Sequence, residues 1–129
     1  MKIYILICII VTYLSLVSAA DSIGGKWGVN ANGHNALLVI EDRNGILNGT
    51  YIYEDAKNDI IGTYSSSSGV ISFIRINGDR PSTYQFYTGY LFRDNTPNQY
   101  MAGSFTALPP SGGEVNRPLF GWFAKKTSK

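Results

Sequence analysis

A tight turn between two apolar segments, Arg43-Asn44-Gly45, is the feature that most constrains how this chain folds. Asn and Gly both tolerate a positive φ, and Asn-Gly between two strand-like segments is a strong signal for a β-hairpin. In the segment after the turn, Tyr51 and Tyr53 share one face while Thr50 and Ile52 share the other, because side chains along a strand alternate with a period of two. The turn and the alternation together predict a β protein.

Short strand-like segments continue to the end of the chain, separated by polar connections that contain Gly or Pro. After the hairpin, the predicted strands are residues 60–64, 70–76, 84–93, 98–108 and 119–126. Residues 54–58 are interpreted as a polar connection and residues 125–129 as a solvated tail. No segment shows helical periodicity. This pattern predicts an all-β, eight-stranded antiparallel up-and-down β-barrel, whose interior is wide enough for one small ligand.

Residues 1–20 are predicted to be a secretory signal peptide. Lys2 gives a basic start, residues 3–16 are almost continuously apolar, and Ala19 and Ala20 supply small side chains for cleavage. A membrane anchor is less favoured because the apolar segment is short and no second hydrophobic span follows. Residues 21–129 are then predicted to form one domain that is secreted and extracellular.

Composition excludes several classes of stabilisation and function. The single cysteine, Cys8, lies in the predicted signal peptide, so the domain has no disulfide framework. Without Lys2 the 11 basic residues become 10 against 9 acidic ones, a net charge near +1 that does not indicate nucleic-acid or membrane binding. With His34 as the one histidine and no metal-ligand spacing, we expect no metal, no cofactor and no enzymatic activity.

Several short motifs follow the strand order of a known family. Gly25-Lys26-Trp27, a polar loop, an apolar strand, Asn44-Gly45 and Gly49-Thr50-Tyr51 together resemble the start of avidin and streptavidin. Ile61-Gly62 and Tyr87-Thr88-Gly89 resemble later strands of the same family. The resemblance implies an eight-stranded up-and-down barrel that binds biotin in its open end, which agrees with the strand count.

The resemblance also implies ligand-binding residues near the start of the domain. Tyr51 would donate its phenol hydrogen to the ureido oxygen of biotin, and Asn30 would donate an amide hydrogen to the same oxygen. Either His34 or Asn35 corresponds to a hydroxyl position in the first loop of the family. Tyr53 stands where the family often has Ser or Thr, and its ring could fill the pocket instead of lining it.

Further site residues are implied on the fifth, sixth and seventh strands. The implied aromatic walls are Phe73, Tyr87 and Phe105, with Tyr100 as a second candidate on the seventh strand. Gln85 and Thr83 would be polar partners for the sulfur and the tail carboxylate of biotin. The alternation on the sixth strand leaves open whether these residues face inward or whether Tyr84, Phe86, Tyr90 and Phe92 do.

Two departures from the family indicate weaker binding. The family's tryptophans are replaced by Phe or Tyr, and residues 119–126 contain no acidic side chain that could accept a hydrogen bond from a ureido N–H. A buried N–H without a partner costs about 1–3 kcal/mol, and about 1.4 kcal/mol corresponds to a tenfold loss of affinity.

Three hypotheses about function remain at this stage. The leading one is a secreted, avidin-like protein that binds biotin or a similar small molecule. The alternative is a carbohydrate-binding or cell-surface adhesion protein, suggested by the many tyrosines and the Asn- and Gly-rich loops. The third is a barrel without a ligand, closed by Tyr53, Phe73 and Tyr87.

Two further features concern the outside of the domain. A large outward aromatic face on the sixth strand would favour a homo-oligomer, because such a surface needs covering. Asn48-Gly49-Thr50 fits the acceptor sequence for N-glycosylation, which secretion would allow, and its position beside the third strand leaves open whether Asn48 is modified.

Overall fold

The computed structural model describes residues 22–107 and 118–128, so the predicted signal peptide lies outside the described residues. The strands are β1 (Gly25–Ala31), β2 (His34–Arg43), β3 (Ile46–Tyr53), β4 (Ala56–Tyr64), β5 (Val70–Ile76), β6 (Gln85–Arg93), β7 (Gln99–Ala107) and β8 (Leu119–Ser128). Each strand pairs antiparallel with the next, and β8 also pairs with β1, which closes the barrel. The predicted fold class is confirmed. The described residues contain one short 3₁₀ turn, Pro81–Thr83, and no helix that could cross a membrane.

Asn-Gly turns form two tight hairpins in this barrel. Asn44 has φ 53° and Gly45 has φ 85°, as expected for the predicted turn, and Asn32 and Gly33 repeat this geometry between β1 and β2 with φ 50° and φ 84°. Positive φ at both central residues matches the right-handed twist of the flanking strands. The polar loop expected after Trp27 is therefore corrected to a two-residue turn.

Strand pairing extends two of the predicted segments. β4 begins at Ala56, which pairs with Tyr53 of β3, so Glu54 and Asp55 alone remain of the predicted polar connection. β8 continues to Ser128 because it pairs with β1, so the predicted solvated tail is strand as far as that residue. In both places hydrogen bonding to a neighbouring strand overrides the polar composition on which the prediction depended.

Trp27 closes one end of the barrel. Its side chain is fully buried, and its Nε1 donates a hydrogen bond to the Ile23 carbonyl oxygen at 2.9 Å. The Ile23 backbone N–H in turn donates to Asp42 Oδ2 at 3.1 Å. These bonds tie the segment before β1 to β2 and seal this end, which we call the closed end.

Trp122 on β8 fills the middle of the barrel. Its indole N–H donates to the carbonyl oxygens of Thr88 at 3.0 Å and Ser104 at 3.1 Å, and its side chain is 3% exposed. Gly89 leaves room for the ring, since a Cβ at that position would lie 2.8 Å from Trp122 Cζ2. The interior between Trp122 and the closed end is therefore a packed core.

Candidate functional site

The end of the barrel opposite Trp27 holds a pocket of about 500 Å³, which we call the mouth pocket. It lies where the β1–β2 and β3–β4 turns meet the ends of β5 to β8. The predicted ligand-binding residues that line it are His34, Tyr51, Tyr53, Gln85, Tyr87 and Phe105. The structure thus brings six of the ten predicted residues together, and the aromatic side chains do not close the mouth.

Which face of β6 points into the barrel decides which of its residues reach the mouth pocket. Tyr87 is 2% exposed and Gln85 is half-buried, whereas Tyr90 and Phe92 are 62% and 45% exposed. The odd-numbered residues therefore face the interior, which resolves the alternative left open by the sequence. Thr83 lies before β6 in the 3₁₀ turn, where it is exposed and does not line the pocket.

Asn30 and Asn35 face away from the mouth pocket. They pair across the β1–β2 hairpin, where Asn30 Nδ2 donates to Asn35 Oδ1 at 2.9 Å and the Gly33 N–H donates to Asn30 Oδ1 at 3.0 Å. Val29 and Ala31 occupy the inward positions of β1. Because the turn is so short, both asparagines lie in strands and point outward, and they stabilise the hairpin rather than contribute to the pocket.

His34 and Tyr53 form part of the rim of the mouth pocket. The Tyr53 hydroxyl lies 3.2 Å from His34 Nδ1, and the two rings meet edge to face with centroids 5.7 Å apart. This contact joins the start of β2 to the end of β3. Of the two alternatives for the first-loop position, the structure therefore brings His34 rather than Asn35 to the pocket.

Stacked aromatic rings form one wall of the mouth pocket. Tyr87 lies between Phe73 and Phe105, with ring centroids 4.6 Å and 4.7 Å away and interplanar angles of 6° and 12°. Phe73 is 2% exposed and supports Tyr87 from below without lining the pocket. Phe120, which the sequence analysis missed, extends the wall 5.3 Å from Phe105. We call these four residues the aromatic wall.

Tyr100, the second candidate on β7, lies outside the barrel. Its hydroxyl donates to Asp94 Oδ2 at 3.0 Å, and its ring stacks on Phe92 and Phe123 with centroids 5.5 Å and 5.8 Å away. These three outward rings, from β6, β7 and β8, form a continuous strip that we call the aromatic ladder.

Arg75 is the pocket residue that sequence reasoning missed. It is 8% exposed, its Nε donates to Asn58 Oδ1 at 2.8 Å, and its Nη1 donates to Gln85 Oε1 at 3.0 Å. Its guanidinium carbon lies 4.2 Å from the centroid of the Tyr51 ring, a cation–π contact. Alternation along β5 would have placed it inside, because it shares a face with Ile71 and Phe73.

Burial raises the pKa of the two tyrosines next to Arg75. For Tyr51, desolvation outweighs the opposite effects of Tyr87 and Arg75. For Tyr87, desolvation is again the largest cause of the raised pKa, and Tyr51 acts in the same direction. The Tyr87 hydroxyl donates to Gln85 Oε1 at 3.0 Å. Both phenols therefore remain neutral at physiological pH and keep their hydrogens available for hydrogen bonding.

The raised pKa of Tyr87 predicts a loss of stability in alkali. In the unfolded chain Tyr87 ionises near pH 10, whereas in the folded barrel it stays protonated to higher pH. Ionisation therefore stabilises the unfolded state relative to the folded state as pH rises above 10. Between pH 9 and 11 we expect the wild type to lose about 1 kcal/mol more free energy of unfolding than Tyr87→Phe. Urea unfolding at both pH values measures this difference, and equal losses in the two proteins would contradict it.

The mouth pocket carries a positive charge. Its lining, within residues 22–107 and 118–128, includes Arg75 but no Asp or Glu. The described residues also contain no group of three or more His, Cys, Asp or Glu side chains that could hold a metal ion. The pocket therefore combines an apolar wall, neutral phenols and a single buried cation.

A second concave surface, about 900 Å³ in volume, lies on the outside of β3 to β8, and we call it the outer groove. Its apolar side chains include Ile46, Ile61 and Leu119, which are 57%, 46% and 72% exposed. Its lining in the described chain includes no charged residue. Asn48, the candidate glycosylation residue, is exposed within the groove.

The closed eight-stranded barrel with a pocket at one end has the fold of several solved avidins. The structure is similar to apo shwanavidin (TM-score 0.66, 13% identity, covering 84% of this chain and 98% of that chain). It is also similar to the rhizavidin–biotin complex (TM-score 0.55, 16% identity, 84% and 95%) and to the short afifavidin–biotin complex (TM-score 0.53, 13% identity, 82% and 91%). No protein-family model and no curated protein sequence matches the chain. At these identities the likeness shows a divergent avidin-like fold.

Proposed function

We propose that this protein is a secreted binding protein, not an enzyme, and that it binds biotin in the mouth pocket. The observation that carries the proposal is the aromatic wall beside buried hydrogen-bond donors at one end of an avidin-like barrel. A volume of about 500 Å³ suits a small organic ligand. Two of the similar structures are biotin complexes, which supports biotin as the first ligand to test.

The chemistry of biotin fits the lining of the pocket. Its fused rings can pack on Phe105 and Phe120, while its ureido and carboxylate groups need hydrogen-bond partners of the kind that Tyr53, Gln85 and Arg75 provide. Stacked rings held in place before binding reduce the entropy lost on association. The affinity is weaker than the extreme of the avidins, because neither β8 nor the described lining offers a carboxylate to the ureido N–H groups.

A thermal melt with free biotin tests the proposal. A ligand present at a hundredfold excess over its Kd stabilises the native state by about 2.7 kcal/mol, which raises the Tm of a domain of this size by roughly 10 °C. Phe120→Ala should shrink this shift because Phe120 belongs to the aromatic wall. Phe123→Ala is the matched control, since Phe123 lies on the same strand but is 44% exposed outside. No shift in the wild type at millimolar biotin would exclude biotin as the ligand.

The aromatic ladder favours carbohydrate binding as a second candidate function. Phe92, Tyr100 and Phe123 form a partly exposed strip of stacked rings, and Lys125 Nζ lies 5.9 Å from the centroid of the Tyr100 ring. Sugar rings pack their apolar faces against such side chains. Binding on a glycan array that free sugar competes away, and that Phe123→Ala abolishes, would support it. A blank array would contradict it.

The proposal includes a homo-oligomer in which a second copy covers the outer groove. A two-fold interface places the same patch opposite itself, so a patch without charge meets itself without repulsion. A second copy would bury Ile61 and Leu119, which are 46% and 72% exposed in the single chain.

A further inference from the structure

Arg75 holds a buried charge that no acidic residue balances. The side chain is 8% exposed, and its partners in residues 22–107 and 118–128 include the amide oxygens of Asn58 and Gln85, the ring of Tyr51 and the side chain of Tyr87. All four partners are neutral. Moving a charge out of water is costly unless an opposite charge accompanies it. The site therefore has a well-formed lining but a positive charge that is not balanced.

Arg75 still has hydrogens to donate towards the mouth pocket. A guanidinium group has five N–H bonds, all donors, and two of them are used, one by Asn58 and one by Gln85. The guanidinium also hydrogen-bonds with the Tyr87 side chain, so at most two N–H hydrogens remain for a further acceptor. Arg75 lines the mouth pocket, so a bound ligand can accept from these hydrogens. A carboxylate matches the planar guanidinium in shape and charge.

The neighbours of Arg75 hold its guanidinium in one position. Asn58 on β4 and Gln85 on β6 anchor it from the two strands that flank β5, and the Tyr51 ring supports one of its faces. Gln85 Oε1 also accepts from the Tyr87 hydroxyl, which couples the cation to the aromatic wall. A cation fixed beside an apolar wall is preorganised for a ligand with a ring at one end and an anionic group at the other.

We propose that the mouth pocket selects its ligands by a carboxylate, which binds Arg75 while the apolar body of the ligand packs on the aromatic wall. The inference rests on the proposed function and deepens it. It implies that biotin binds with its carboxylate directed towards Arg75. Neutral amides of the same ligands bind poorly, because they bring no charge to the buried cation.

Paired acids and amides test this selection by isothermal titration calorimetry. The first pair is biotin and biotinamide, and the second is 3-phenylpropanoate and 3-phenylpropanamide, which share a ring and a short tail but lack the ureido group. We expect each acid to bind the wild type about tenfold or more tightly than its amide, as charge-assisted hydrogen bonds predict. The second pair keeps the test of Arg75 independent of biotin.

Three variants test whether Arg75 causes the preference for acids over amides. Arg75→Gln removes the charge and should bring the acid-to-amide ratio close to one, whereas Arg75→Lys keeps the charge and should retain part of the preference. Arg43→Gln is the matched control, because Arg43 is an exposed arginine paired with Glu41 at 3.7 Å, and it should behave like the wild type. The nitrogen-15 signal of Arg75 Nε in the wild-type protein gives a readout that needs no variant to fold. It should move with each acid and not with its amide.

The outcomes separate this inference from the biotin proposal. Equal binding of biotin and biotinamide, together with equal binding of the second pair, would overturn the inference and leave biotin binding intact. A preference for 3-phenylpropanoate without any binding of biotin would support the inference and reject biotin as the ligand. A preference that survives in Arg75→Gln, or no binding of any of the four compounds, would overturn the inference.

Discussion

Trp122→Ala is expected to lower the free energy of unfolding by about 3–5 kcal/mol, the range for deleting a large aromatic side chain from a core. Trp122 is 3% exposed, fills the middle of the barrel and contacts Phe73 and Tyr87 edge to face, with each ring centroid 5.9 Å away. Gly89 leaves space for the indole, and the closed, hydrogen-bonded backbone of the barrel cannot easily collapse into the cavity that alanine would create. Urea unfolding monitored by circular dichroism measures the loss.

Two further variants separate the reasons for this loss. Trp122→Phe keeps a ring but removes the indole N–H that bonds to the carbonyl oxygens of Thr88 and Ser104, so its cost should be smaller than that of alanine. Phe123→Ala, which removes a partly exposed ring stacked on Tyr100, should cost about 1 kcal/mol, well below the cost of Trp122→Ala. A loss below about 1 kcal/mol for Trp122→Ala would contradict the assignment of Trp122 to the packed core.

Ile61→Asp is expected to convert the proposed homo-oligomer into a monomer. Ile61 is 46% exposed in the outer groove, and a two-fold interface would bury two copies of the new carboxylate without partners. The association constant should fall by several orders of magnitude, since each buried unpaired charge costs several kcal/mol. Sedimentation velocity at high micromolar protein concentration measures it.

Tyr90→Asp is the matched control for the interface. Tyr90 is 62% exposed on the outer face of β6 but does not line the outer groove, so its substitution should leave association unchanged. A glycan on Asn48 would stand in the groove, and the experiment therefore uses protein that carries Thr50→Ala, which removes the acceptor sequence while keeping Asn48. If the Thr50→Ala protein with Ile61 and Tyr90 intact sediments as a monomer under these conditions, the proposed interface is contradicted.

Much of the fold follows from local signals in the sequence. The Asn44-Gly45 turn sets the first predicted hairpin, and the alternation from Val70 to Ile76 predicts β5 with its observed bounds. The turn and the bounds of β5 depend on neighbouring residues, so the sequence reports them directly. Alternation alone leaves open which face of β6 points inward, and the closed barrel decides this in favour of Tyr87.

The parts of the site that the sequence missed depend on pairing between strands. Asn30 could not be placed because composition does not distinguish a polar loop from a two-residue turn at Asn32-Gly33. The resemblance implies that Thr83 belongs to the sixth strand, but Thr83 lies in the 3₁₀ turn that begins at Pro81, before β6 starts. Arg75 was overlooked because a charged residue is usually exposed, whereas its amide partners and Tyr51 come together only in the closed barrel.

Biotin binding in the mouth pocket is tested most directly by titrating the nitrogen-15-labelled protein with free biotin and following it by two-dimensional NMR. Binding in the mouth pocket predicts saturable shifts of the backbone amides of Arg75, Gln85 and Tyr87, with those around Gly45 at the closed end unchanged. No shifts at millimolar biotin, or shifts confined to the outer groove or the aromatic ladder, would contradict biotin binding in the mouth pocket.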